Sequence, residues 1–338
     1  TTVNYDDLMK PDEQGRVVGL IIEAVFERMA DKQEVFAELD KILPPEVIFA
    51  TNTSSLSISE MANATNRKDK VIGVHFFNPP ITMALVELIS GQETSLETVE
   101  TLEDFTKNSL GKVPIRVKEC PGFLVNRLLM PYLNEATLLL SETNLRPEEI
   151  DQRARNFGWP MGPFFLMDYL GIDVCAEVAK ILESGYGERV KSAPLMDVLV
   201  KLGRYGNKTG AGFYVKDETK GFENLTEILN REFPNRKDLD VEEGYRRMIL
   251  GMVNEAFMCL EEGIASAEDI EKGCLYGIGF PFILGGPLHW AESEGLDKIL
   301  TDLKRFEQQY GMRFKPAKLL EEYVSSGKKR IFETKEEW

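Results

Sequence analysis

Two histidines occur in 338 residues, His75 and His289. His75 lies inside the apolar run VIGVHFF (71–77), which ends at Asn78-Pro79-Pro80. A prolyl pair breaks a strand ladder. His75 is thereby placed near the C-terminal end of a strand, the edge at which open α/β sheets bind ligands. Imidazole, with an ordinary pKa of about 6.5, suits the removal of a hydroxyl proton as an alcohol is oxidised to a ketone. The plain alternative is a satisfied core histidine. A base also needs an orienting partner, and Glu87 is the acid within ALVELIS (84–90). A carboxylate in an apolar strand is costly unless paired. Two neighbouring strands joined through the Pro-Pro loop would bring it to His75; otherwise it points to solvent from an edge strand. Ser54, in the hydroxyl-rich ATNTSSL, is a candidate for holding a substrate oxygen, while Ser55 or Ser57 could cap the helix that follows. Asn126, early in a long apolar helix, is unfavourable there by propensity and is otherwise a surface residue.

The elements that must position these groups fall into two kinds. VVGLIIEAV (17–25) is a continuous apolar run, as expected of a strand covered on both faces. Helix 29–43, strand 47–51, helix 58–65, strands 71–77 and 84–90, helix 95–110 and strand 113–118 follow. Such alternation with short links predicts a parallel α/β layer over residues 1–119. Beyond CPGF (120–123) nearly everything reads as helix. A first all-α domain spans 120–216, the polar stretch 217–240 reads as a linker, and a second all-α domain spans 241–338. The two helical blocks echo one another. LNEATLLLSE begins at 133 and VNEAFMCLEE at 253, PEEID at 147 and AEDIE at 267, each 120 residues on. GWPMGP (158–163) corresponds to GFPFILGGP (279–287). This is an internal duplication, and two copies suggest a packed helical pair rather than a solenoid.

Composition narrows the function. Charged residues are 28%, hydrophobic residues 43%, and the net charge is −16. That balance argues against non-specific binding to nucleic acid or anionic membranes, but an anionic small ligand needs only a local patch. Four scattered cysteines without CxxC read as reduced thiols of a cytoplasmic protein. No apolar run reaches the roughly 18 residues of a membrane span.

IIEAVFERMADKQEVFAELD, ATNTSSLSI, VIGVHFFNPP, LVELISG, CPGFLVNRLL, GWPMGPFFLMDYLG and GNKTGAGFY occur in that order. Together they closely resemble the 3-hydroxyacyl-CoA dehydrogenase family over residues 17–216. The block at 241–332 resembles the second C-terminal domain of longer, multifunctional members. The resemblance implies NAD on a Rossmann fold, whose first strand leads into G-x-G-x-x-G. That fingerprint is missing; the glycines of GIGFPFILGG (277–286) have the wrong spacing and context. The expectation is therefore a partial Rossmann domain, its later half, in an N-terminally truncated chain followed by two repeated all-α domains.

The resemblance also implies roles. His75 and Glu87 match the catalytic dyad, and Ser54 and Asn126 match residues that position the substrate. Glu27, Lys32 and Asn52 match cofactor contacts. Bare sequence makes Glu27 a loop acid and Lys32 a helix-surface lysine. Asn78 would help hold the active-site loop. By the repeat offset Asn126 aligns with Arg246, so the second copy keeps the scaffold without the chemistry. His289 aligns with the apolar Phe164-Phe165-Leu166 and reads as structural. GNKTGAGFY reads as a turn, because no strand precedes it and no GKS/T follows. One departure is Ala84, where members commonly carry lysine. The implied activity is NAD-dependent interconversion of (S)-3-hydroxyacyl-CoA and 3-oxoacyl-CoA. The implied partner is an acyl-CoA thioester, with room for a fused or associated enoyl-CoA hydratase module. The alternative is a catalytically incomplete scaffold segment of a multifunctional protein. The assembly would be a homodimer, or a monomer whose helical repeat imitates one.

Overall fold

The computed structural model describes residues 5–11, 13, 15 and 17–332. Contacts divide them into two compact units: the chain up to Leu124 together with Gly263–Gly277, and Val125–Glu262 together with the chain from Ile278.

The first unit is a five-stranded sheet in sequence order: β1 (Leu20–Glu23), β2 (Ile48–Thr51), β3 (Val71–Phe76), β4 (Leu85–Ser90) and β5 (Val113–Lys118). Helices α1 (Met29–Ile42), α2 (Ile58–Ala62) and α3 (Leu96–Asp104) connect them. The sheet is mixed, not wholly parallel. β3 and β4 run antiparallel while the other neighbours are parallel. Residues 77–84 form a short loop with no helix, and a parallel return needs a crossover of a dozen residues or more. β1 is also less covered than its composition predicts. Among the described residues it pairs on one side only, and Ile22 is 39% exposed and Phe26 78%. One face of the sheet carries a core of Ile48, Ala50, Ile72, Val74, Val86, Leu88, Val99 and Leu102. On the other, α2 lies so close to β3 that a Cβ at Gly73 would sit 2.7 Å from Ile58 Cδ1. The side chain two residues on, His75, shares Gly73's face.

Asp40 ties the end of α1 to the approach of β3. Its carboxylate accepts from Arg67 Nε at 2.7 Å and from both Asn66 nitrogens at 2.9 Å. Burial pushes the carboxyl up, but Arg67 and Asn66 outweigh that and hold it below its ordinary value. A carboxyl lowered on folding adds stability above its unfolded pKa and loses it as pH falls through the folded value. Asp40→Asn is therefore expected to destabilise at pH 7, with the gap from the parent closing below about pH 4. Urea unfolding at several pH values checks this; a gap that stays constant would refute it.

The second unit is helical: α4 (Val125–Glu142), α5 (Pro147–Phe157), α6 (Pro163–Leu170), α7 (Ile172–Tyr186), α8 (Pro194–Lys201), α9 (Leu225–Glu232), α10 (Val241–Glu261), then α12 (Pro287–Glu294), α13 (Leu296–Tyr310) and α14 (Lys318–Ser325). α11 (Ala267–Lys272) belongs to the first unit, where Lys118 N–H donates to Ile264 C=O at 2.8 Å. The polar stretch read as a linker is partly folded, because Leu225, Ile228 and Leu229 of α9 form a buried i, i+3, i+4 stripe. α4 packs on α10 through buried arginines. Arg127 Nε meets Glu255 at 2.6 Å and Arg247 Nε meets Glu135 at 2.7 Å. Arg127 and Arg247 also reach Glu262 and Glu142. No helix among the described residues is long and apolar enough to cross a membrane.

Candidate active site

The β3/β4 register sets His75 directly opposite Glu87. Opposed residues of antiparallel strands share a face, and here the side chains meet: His75 Nδ1 lies 2.7 Å from Glu87 Oε2. Glu87 is fully buried and His75 is 6% exposed. A carboxylate accepts only, so Nδ1 carries a proton, and in the neutral imidazole Nε2 is then the bare ring nitrogen. The other carboxylate oxygen, Oε1, accepts the Leu124 N–H at 3.0 Å. That amide is delivered by a turn in which Gly122 and Phe123 both have positive φ, 76° and 51°. Left-handed backbone is unfavourable for phenylalanine. It is held here because Phe123 is buried, its ring 6.1 Å from that of His75, while Phe77 lies 4.6 Å away on centroids.

A second polar cluster forms where β1 and β2 end. Lys32, fully buried, donates to both oxygens of buried Glu23 at 2.9 and 3.1 Å and to Asn52 C=O at 3.3 Å. Thr51 Oγ1 donates to Glu23 at 2.8 Å. Lys32 is thus not the surface residue that bare sequence suggests; α1 turns its ammonium inward. Glu27 Oε2 lies 3.4 Å from Lys32 Nζ, while Oε1 accepts from the Thr53 hydroxyl at 2.6 Å and the Ser54 N–H at 2.8 Å. Asn52 Oδ1 accepts the Phe76 N–H at 3.3 Å, which links this cluster to the strand bearing His75. Ser57, not Ser55, caps α2 by accepting the Glu60 N–H at 3.0 Å, and Ser54 is left exposed.

The remaining residues are placed differently. Asn78 is exposed and precedes a cis peptide bond to Pro79. Among the described residues its side chain makes no hydrogen bond that would hold the loop. Instead Thr82 and Met83 N–H donate to Pro79 C=O, and Lys112 Nζ donates to Pro80 and Met83 C=O, both at 2.6 Å. Asn126 is half-buried at the second position of α4, in the helical unit. Arg246 is tied up with Glu294 and Asp302. His289 stacks on Phe332 at 3.8 Å. Sequence reasoning missed Glu23, Thr53, Lys112 and the Leu124 amide. Glu23 carried the same signal as Glu87, a carboxylate within an apolar strand. The other three carried none.

Residues 10–120 match the model of the 3-hydroxyacyl-CoA dehydrogenase NAD binding domain, and residues 122–216 and 245–335 match the model of its C-terminal domain. The chain belongs to the 3-hydroxyacyl-CoA dehydrogenase family. It is 38% identical over 330 residues to a fatty acid oxidation complex subunit alpha of Shewanella halifaxensis, covering 97% of this chain and 45% of that protein. The chain thus spans about half the length of such relatives. Among solved structures of this family, 3-hydroxybutyryl-CoA dehydrogenase of Escherichia coli K12 superposes with a TM-score of 0.81 at 29% identity, over 91% of this chain and 82% of that one. (S)-3-hydroxybutyryl-CoA dehydrogenase of Ralstonia eutropha gives 0.60 at 41% identity, over 64% and 74%. NAD, the family's cofactor, can be tested against the residues present. Glu27, with a side chain 42% exposed, and half-buried Asn52 lie at the C-terminal ends of adjacent parallel strands. An acceptor and an amide there suit a ribose and its nicotinamide. No glycine-rich strand-to-helix turn for a pyrophosphate lies among the described residues.

Proposed function

We propose that the chain oxidises (S)-3-hydroxyacyl-CoA thioesters to 3-oxoacyl-CoA, and the reverse, with NAD. The observation that carries this is the buried His75–Glu87 pair, with Nε2 left as the base. His75 Nε2 takes the proton of the substrate's 3-hydroxyl. Glu87 fixes the tautomer and stabilises the imidazolium that forms. Ser54 and Asn126 position the 3-oxygen and the reacting carbon. Bound NAD supplies the acceptor for the C3 hydride, so that two electrons leave with that hydrogen while the proton goes to His75. Glu27 and Asn52 hold the nicotinamide ribose side, and Lys32 acts there through Glu27 and Asn52. Asn78 borders the substrate from the β3–β4 loop.

We further read the sheet as the later half of a dinucleotide-binding domain. The exposed apolar positions Ile22 and Phe26 beside β1 favour that. The helical region reads as two copies of one all-α domain. Arg127–Glu255 and Arg247–Glu135 exchange roles at a spacing of 120 residues, and Asn134 and Asn254 make matching bonds, to Ala193 N and Lys191 O and to Ala317 N and Lys315 O. Such self-complementary pairing is what a two-fold dimer interface looks like, here within one chain. An enoyl-CoA hydratase module, fused or associated, and a cytoplasmic setting fit the reading. The second reading is a scaffold segment without activity, favoured by the second helical copy, residues 241–338, which carries none of the candidate site residues.

The test is to mix the chain with acetoacetyl-CoA and NADH and follow NADH absorbance. Oxidation dependent on both is expected. Its absence under saturating NADH would reject the enzyme reading for this chain in favour of the scaffold.

A further inference from the structure

We propose that Lys112 is a positioning residue that clamps the loop between β3 and β4 and so shapes the acyl-CoA side of the site, an inference that rests on the dehydrogenase reading. The sheet order supplies the geometry. The C-terminal ends of β1, β2 and β3 lie at the same edge as the starts of β4 and β5, because β4 runs antiparallel to β3 and β5 parallel to β4. Along that edge come Glu27, then Asn52, then His75, then the loop 77–84, then Lys112 at the entry to β5. Glu27 and Asn52, the residues assigned to the cofactor, lie on the β1–β2 side of His75. Hydride donor and acceptor must meet beside the base, so the thioester falls on the other side, against the loop.

That loop has few holds of its own. Residues 78–82 are exposed, with Ile81 at 92%. Pro79 C=O closes its turn by accepting from Thr82 and Met83 N–H at 3.1 and 3.0 Å. From outside, the Lys112 ammonium bridges Pro80 and Met83 C=O. Its backbone is fixed in turn: Gly111 has φ +63°, Lys112 N–H donates to Thr106 C=O at 3.0 Å, and Val113 N–H to Ala84 C=O at 2.9 Å. Among the described residues Lys112 has no carboxylate partner.

Lys112→Met removes both donors and keeps the stem; Lys112→Arg keeps several donors. The Kd for acetoacetyl-CoA is measured by calorimetry on the full chain, with hydrogen exchange over residues 77–84 and thermal unfolding alongside. Lys112→Met should raise Kd about tenfold, the scale of one hydrogen bond to a charged group, and speed exchange at Thr82 and Met83 without moving Tm. Lys112→Arg should restore both. Faster exchange with unchanged Kd, or a Kd that rises only with a fall in Tm, would overturn the inference. If the unaltered chain binds no acetoacetyl-CoA, the dehydrogenase reading itself fails and the inference falls with it.

Discussion

Glu87→Gln is expected to lower kcat by about 10²–10⁴-fold, the range of general acid–base assistance, although it changes one atom. This carboxylate accepts from the His75 Nδ1–H and from the Leu124 N–H. A carboxylate accepts both, but glutamine has a single acceptor oxygen and an NH2 group. If the oxygen faces His75, the NH2 confronts the Leu124 N–H, and a buried unsatisfied donor costs about 1–3 kcal/mol. If the amide flips, its NH2 faces Nδ1, the ring proton moves to Nε2, and the base is lost. Both orientations also remove the charge that stabilises the imidazolium. His75→Gln should lose activity by a similar factor. The double variant should be scarcely worse than either single one, because groups acting as a unit are not additive. Steady-state kinetics of NADH oxidation on the three variants checks this. Additive losses would show that the two residues act independently, and a Glu87→Gln protein with parental kcat would remove the dyad from the mechanism.

Lys32→Met should be among the most damaging substitutions to stability. It strands Glu23, 4% exposed, without its ammonium partner. Breaking a buried pair by removing one member costs about 3–5 kcal/mol, whereas replacing both members is often close to neutral. Glu23→Gln combined with Lys32→Met should therefore recover most of the loss, with Thr51 Oγ1 still donating to the side chain at 23. Urea unfolding of the two single variants and the double one gives the cycle. A double variant as unstable as the sum of the single ones would refute a pairwise role. The same proteins separate structure from cofactor binding. Because Lys32 is wholly buried and touches Glu27 and Asn52, NADH affinity, read by fluorescence, should stay weakened in the stable double variant.

Much of the site was legible because its signals are local or depend on pattern alone. A histidine ahead of Asn-Pro-Pro at a strand end, and a carboxylate inside an apolar strand, each state a need that a neighbour must meet. The short loop between them leaves adjacent strands as the simplest answer. The capping of α2 by Ser57 and the helical stripes are equally local, and the echo of LNEATLLLSE in VNEAFMCLEE could be read as a spacing of 120 residues. What sequence did not decide was anything that depends on which atoms meet across the fold. The antiparallel turn of β4 follows from loop length, but the alternation of strands and helices had suggested a parallel layer. Lys32 looks like any helix lysine until α1 packs on the sheet and points it at Glu23. Leu124 enters only through a backbone N–H, which every residue but proline carries, so no residue type marks it. The loop's hold is Lys112, 32 residues beyond Pro80, not the adjacent Asn78. Sequence by itself determined the strands and helices through periodicity, the family through motifs in a fixed order, and the need of Glu87 for a buried partner through the cost of an isolated buried charge. Tertiary structure decided strand direction, the Leu124 N–H that donates to Glu87, the burial of Lys32 and the clamp on the loop, because each depends on groups that the chain brings together only on folding.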